Sequence, residues 1–220
     1  MAPAASFPTY TAAELALDRV LHVSAVLFAA GGTAWLFLAT IPAGGARQFI
    51  VLAIYAVGLI GMFAASAAYN SCCPGGRKEL LRRIDHAMIF VMIAGTCTPF
   101  ALSAFPEDIG LPLCTLVWII AMSGAALKLA FPRRFEPLLL GLYLIMGWAM
   151  FGMSRAYADN ISGVVLFLLL GGGVAYSCGA LLHAQDRLPF HNVAWHGLVL
   201  LGASLHWAAV ASQVMNWRGP

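Results

Sequence analysis

Charge is what this chain has least of. Asp, Glu, Lys and Arg together make up 10% of its 220 residues, against roughly 25% in a soluble domain. So few charges cannot cover a water-facing surface, and lipid must replace water over much of the exterior. A metal-like cysteine spacing is also missing. The five cysteines, Cys72, Cys73, Cys97, Cys114 and Cys178, are odd in number. Those inside apolar runs read as small packing residues. Cys72 and Cys73 fall in a segment expected on the cytoplasmic side, where disulfides are rare, and acylation at the membrane edge is the alternative for them. No cleavable signal peptide is evident: residues 1–17 are mildly polar, with Pro3, Pro8 and Glu14. Period-two alternation is absent, which excludes a membrane barrel. The net charge of +3 is too small and dispersed to suggest a nucleic-acid partner.

What is present is apolarity in long runs. Hydrophobic residues reach 61% and the mean hydropathy is +0.85. About 20 apolar residues cross the hydrocarbon core as a helix. Seven windows qualify, 20–41, 48–70, 84–105, 111–131, 137–153, 161–183 and 193–215, the fifth being the shortest. Short breaks with turn residues separate them, among them Pro42 to Gly45, Pro74-Gly-Gly76, Pro106-Glu-Asp108, Pro132-Arg-Arg134, Ala158-Asp-Asn160 and Asp186 to Pro189. The sequence therefore predicts an all-α membrane protein, a single seven-helix domain over 1–220. Small residues recur at packing spacing, notably Gly58 with Gly61, Ala64-Ala65 with Ala67-Ala68, and Gly171-Gly-Gly173.

Orientation follows from the basic residues. With the amino terminus in the cytoplasm, Arg19, Arg77, Lys78, Arg82, Arg83, Lys128, Arg133, Arg134 and Arg187 lie inside, and only Arg47, Arg155 and Arg218 lie outside. The positive-inside rule selects this arrangement. The carboxyl terminus is then outside, opposite to a G-protein-coupled receptor. The last span lacks a lysine, which argues against a rhodopsin.

Ionisable groups inside spans are costly and point to function. Ser66 and Asn70 end the second span, Asp85 starts the third, and Asn192 and His196 start the seventh. All five are expected at the cytoplasmic ends of three helices. Ser66 and Asn70 are four apart, as are Asn192 and His196, so each pair shares a helix face. Two readings stand: a pocket for a polar head group or metal, or a hydrogen-bonded knot that locks three helices. His206 lies about 15 Å further along the last helix and is expected to pack or hydrogen-bond. His22 and His183 reach the same side and are read as interfacial, and Glu14 precedes the first span. His86 points away from Asp85.

These residues carry a resemblance. Glu14-Leu-Ala-Leu-Asp-Arg-Val-Leu-His22, Ser66-Ala-Ala-Tyr-Asn70, Arg82-Arg-Ile-Asp-His-Ala-Met-Ile-Phe90 with Ile93-Ala-Gly-Thr-Cys-Thr-Pro-Phe100, and Pro189-Phe-His-Asn-Val-Ala-Trp-His196 resemble hemolysin III proteins. These form the bacterial branch of the superfamily that includes progestin and adiponectin receptors. The resemblance runs over nearly the whole chain and implies seven helices with the amino terminus inside. In receptor members it implies zinc held by three histidines, one on the second span and two on the seventh, beside an aspartate and a serine. That geometry suits zinc-activated water cleaving a lipid amide, and ceramide hydrolysis is the activity proposed for relatives. Here Asp85, Ser66 and His196 match, but Asn70 and Asn192 stand at histidine positions. An asparagine carbonyl is a poor zinc ligand beside imidazole or carboxylate.

The expectation is therefore a hemolysin III-like protein of lipid-related homeostasis or sensing in the bacterial cytoplasmic membrane, with membrane lipid as partner and without a complete zinc site. If a metal does bind, Asp85, His196 and His191 are the candidate ligands. Alternatives are a zinc-dependent lipid amide hydrolase, with Asp85 and His196 at the metal and Ser66 assisting, and an accessory subunit of a larger membrane complex. A homo-oligomer is equally open. A pore-forming role is not expected, because no amphipathic toxin-like segment is present.

Overall fold

A computed structural model describes residues 9–40, 45–131, 133–156, 161–185 and 188–217, with the side chains of 154–156 excepted. Several expected breaks, at Pro42, Pro132, Ala158-Asp-Asn160 and Asp186-Arg187, and the terminal Arg218, lie outside the described residues. Seven helices account for nearly all of the rest: α1 (Ala12–Thr40), α2 (Ala46–Ser71), α3 (Gly76–Ser103), α4 (Glu107–Ala130), α5 (Glu136–Ala156), α6 (Gly163–His183) and α7 (His191–Met215). Each is long and apolar enough to cross a membrane. The outer surface agrees, for Leu38 is 74% exposed and Phe167 72%, which no water-facing surface of this extent would tolerate.

Two helices begin well before the expected span. α1 starts at Ala12 rather than near residue 20, because Thr11 and Glu14 form a capping box. The Thr11 backbone N–H and hydroxyl both donate to Glu14 Oε2, at 2.8 and 2.7 Å, and the Glu14 N–H donates to Thr11 Oγ1 at 3.3 Å. α3 starts at Gly76, so the basic stretch 77–83, expected as a loop, is its first two turns. Hydropathy finds where a helix enters hydrocarbon, not where its backbone starts to wind.

α3 is the most buried helix and touches α2, α4, α5 and α7; α1 lies between α2 and α7, and α6 between α5 and α7. Lipid tails are as apolar as the helix faces, so close packing and hydrogen bonds must hold the helices together. Glycine permits the closest approach of α2 and α3: a methyl at Gly58 would sit 3.2 Å from both Val91 O and Met92 Cα. At Gly172 a methyl would overlap the His206 ring, 2.1 Å from its Cδ2, so that glycine makes room for an imidazole in the bundle interior.

The starts of α1, α3, α5 and α7 share one end of the bundle with the ends of α2, α4 and α6. Contacts show it: Glu14 meets Phe190, His22 meets Asn70, and Arg82 and Lys128 meet Glu136. Arg77, Lys78, Arg82, Arg83, Arg133 and Arg134 lie there too, and we call this the basic end. At the opposite end Gln48 Nε2 donates to Val214 O at 2.9 Å, and the Arg47 guanidinium stacks over Trp217.

Candidate functional site

The capping box decides more than where α1 begins. By extending the helix it puts Asp18 and His22 one turn apart on one face, and both are buried at 7% exposure. That face turns towards α2 and α7. His22 Nδ1–H donates to the Asp18 backbone carbonyl at 2.7 Å, so its Nε2 carries a lone pair. The Ser66 hydroxyl and the Asn70 amide approach that nitrogen from α2, at 3.2 and 3.3 Å. Asn70 Nδ2 also donates to Ser66 O at 3.0 Å. From α7, His196 Nδ1–H donates to Asp18 Oδ1 at 2.5 Å, and Asn192 Nδ2 donates to the same oxygen at 3.5 Å. The two imidazoles meet edge to face, with ring centroids 4.4 Å apart.

Glu14 ties the arrangement at its rim. One carboxylate oxygen closes the α1 cap, while the other accepts the Phe190 N–H at 2.8 Å. Phe190 has a left-handed backbone, φ 57°, and immediately precedes α7. The starts of α1 and α7 are thus held by the same side chain. Tyr10 lies beside them outside the helices. Burial, reinforced by Tyr69, Asp18 and Glu14, pushes its phenol up to about 12, so it remains a neutral donor.

Of the five residues expected in the polar pocket, Ser66, Asn70, Asn192 and His196 are linked through His22 and Asp18. Asp85 lies beside Ser66 and His196, with its side chain 15% exposed and 3.6 Å from His86 Nδ1. The His86 Nδ1–H donates to Arg82 O one turn back at 2.8 Å, and Tyr143 of α5 donates to the His86 backbone carbonyl at 2.8 Å.

Two expectations need correction. His22, read as interfacial, is buried at the centre of the node. His191, weighed as a metal ligand, is not among the donors grouped around Asp18. Its Nδ1–H donates to Leu188 O at 2.8 Å and its ring packs on Tyr10, because the helix already starts at His191 and carries it to another face. Asp18 was missed altogether. The signal was present in Thr11-Ala-Ala-Glu14 followed by Asp18 and His22 at a four-residue step. His206 lies away from the site, where its Nε2–H donates to Leu169 O at 3.2 Å and its ring packs against Tyr176. His183 packs its ring on Trp195.

The three-histidine set implied by the resemblance does not fit this chain. Asn70 and Asn192 occupy two of its positions, and both present amide donors to the node. No chemical step is derived through that set. What the arrangement offers instead is a buried carboxylate that accepts a hydrogen bond from an imidazole, a second buried imidazole whose Nε2 is met by a hydroxyl and an amide, and a further carboxylate alongside. Such a group can hold or exchange a proton, or bind a polar or cationic ligand.

A family model described as "Haemolysin-III related" matches residues 16–207. The "Hemolysin-3 homolog" of Bacillus subtilis (strain 168) is 31% identical over 195 residues, covering 89% of this chain and 92% of that protein. "Hemolysin-3" of Bacillus cereus is 31% identical over 172 residues, covering 78% of each. No solved structure gives a significant match. The matched region starts ahead of Asp18 and ends past His206, so it takes in every residue of the polar node, and with seven membrane-length helices the chain belongs to the hemolysin III family of integral membrane proteins, within the progestin and adiponectin receptor superfamily.

Proposed function

We propose that this protein serves lipid-related membrane homeostasis or sensing in a bacterial cytoplasmic membrane, with its basic end inside and without the three-histidine zinc site. The observation that carries the reading is the buried node of Asp18, His22 and His196 at the basic end, with amides at the two remaining histidine positions. A polar node just inside an apolar bundle, at the level of the basic residues, suits a lipid head group.

Lipid dependence of thermal unfolding tests the role. In nanodiscs of varied head-group composition, one class should raise the melting temperature of the parent, and His196→Ala should lose that response. A His196→Ala variant that keeps the full response overturns the reading. Orientation is tested at Cys73, which is exposed beside the basic start of α3. In a variant whose only cysteine is Cys73, an impermeant maleimide should label broken cells and leave intact cells unlabelled. Labelling of intact cells reverses the topology.

A second reading, a lipid amide hydrolase, is favoured by one feature: the Ser66 hydroxyl and Asp85 carboxylate border the imidazoles. Release of fatty acid from ceramide by the purified protein, abolished in Asp85→Asn, would support it over sensing alone.

A further inference from the structure

We propose that the corner where α3 meets the turn between α4 and α5 binds the phosphate of an anionic glycerophospholipid, held between Arg83 and Arg133. The corner is separate from the polar node, and the proposal does not rest on a head group bound at that node.

The charge count comes first. Glu79 is one carboxylate shared by three guanidiniums. Arg82 meets its Oε1 at 3.2 Å, Arg83 lies 3.8 Å from the same oxygen, and Arg133 donates to Oε2 at 3.0 Å. Glu136 gives no relief, because Arg82 reaches it at 3.3 Å and Lys128 pairs with it as well. Arg134 stands next to Arg133, stacked over the Phe135 ring at 5.0 Å. Arg82, Arg83, Lys128, Arg133 and Arg134 thus bring five positive charges to this corner. Glu79, Glu136 and Asp85, which lies within electrostatic reach of Arg82, bring three negative ones. A surplus of two cations at the edge of a low-dielectric bundle repels itself unless an anion joins it.

The surplus faces outward. The Arg82 side chain is turned in, at 12% exposure, whereas those of Arg83 and Arg133 are 32% and 41% exposed. Arg83 Nη1 makes a long bond of 3.4 Å to Leu129 O, and among the described residues its buried Nε has no hydrogen-bond partner. A planar guanidinium holds phosphate through two parallel N–H bonds. Two such forks, converging on opposite oxygens of Glu79, stand side by side here. The turn itself is shaped to place one of them. Arg133 and Phe135 have left-handed backbones, φ 63° and 62°, an unfavourable state for residues with a side chain.

The surroundings suit a lipid better than a soluble anion. Leu80 and Ile84, one turn apart on α3 on either side of Arg83 in sequence, are 54% and 36% exposed. Phe131 and Phe135 bracket Arg133 and are 47% and 44% exposed. Acyl chains can lie along these side chains while the phosphate meets the guanidiniums. Basic clusters beside apolar surface at the membrane interface select anionic over zwitterionic lipid in this way.

The test is lipid binding to the full-length protein, delipidated in detergent and titrated with dioleoyl phosphatidylglycerol or dioleoyl phosphatidylcholine, with bound lipid counted by native mass spectrometry. The parent should bind its first phosphatidylglycerol at least about tenfold more tightly than phosphatidylcholine. Arg83→Gln and Arg133→Gln should each lower that preference about fivefold, and the double variant should abolish it. All three keep the Arg82–Glu79 pair, and unchanged phosphatidylcholine binding is their control for folding. Arg77→Gln removes an exposed cation at the same end and should keep the parent preference. Equal affinity of the parent for the two lipids overturns the proposal without recourse to any variant. So does a preference that survives in the double variant, or one that Arg77→Gln lowers as much as Arg83→Gln does. Displacement of the bound phosphatidylglycerol by inorganic phosphate at the same concentration overturns lipid as the occupant.

Discussion

Two polar regions share the basic end of this bundle, and they are built on opposite plans. Between α3, α4 and α5, Glu79 and Glu136 are both claimed by cations. Lys128, 3% exposed, pairs with Glu136. Arg82 reaches both Glu136 and Glu79, at 3.3 and 3.2 Å, and Arg133 donates to Glu79 at 3.0 Å. Between α1, α2 and α7, the carboxylate of Asp18 faces imidazoles and amides instead. The first region consumes its carboxylates in holding helices together. The second leaves lone pairs and an exchangeable proton in a buried place. Among the described residues, the second therefore keeps a carboxylate that no lysine or arginine claims, although the first has more charge.

The largest expected effect breaks the first region. Glu136→Leu leaves Lys128 buried and unpaired, and removal of one partner from a buried pair costs about 3–5 kcal/mol. The low end applies here, because Glu136 is itself 39% exposed. Thermal unfolding in detergent should show a marked drop. The double variant Glu136→Leu with Lys128→Met should recover most of it, since an apolar pair replaces an ionic one nearly neutrally. A double variant as unstable as the single would mean that the ion pair is not a clamp.

Next comes the same operation in the second region. Asp18→Ala strands His196 Nδ1–H and the Asn192 amide, at a cost of about 1–3 kcal/mol. Asp18→Asn keeps an acceptor oxygen and should cost less. If the two substitutions destabilise equally, the carboxylate charge rather than its hydrogen bonding holds the node. The smallest effect is at the rim. Thr11→Ala removes the cap of α1 at about 1 kcal/mol, and amide exchange should quicken over 12–18 while α3 is unaffected.

The number of helices was readable because hydropathy alone sets it. Half of the node was readable as well. Ser66 with Asn70, and Asn192 with His196, declare a shared face by their four-residue spacing. Asp18 and His22 have the same spacing, but an apolar window that opens near residue 20 cuts the pair in two. Capping chemistry at Thr11 and Glu14, not hydropathy, joins them. Which helices are neighbours was hidden for a different reason. Helices that are apolar all round have no single buried stripe from which a partner could be deduced. That α1 lies between α2 and α7 therefore had to come from the packing itself. His191 shows the converse case, since a residue adjacent in sequence to Asn192 of the node is carried to another face by the start of its helix.

The reach of Glu14 across 176 residues to Phe190 has a bearing on how the protein is made. Chains grow from the amino end and their early segments fold first. Asp18 and His22 are therefore made well before α7, and until then the Asp18 carboxylate lacks the donors that α7 supplies. Their counterpart His196 follows 178 residues after Asp18. The polar face of the first helix therefore waits for α7, and the node comes into being only once Asn192 and His196 have been added.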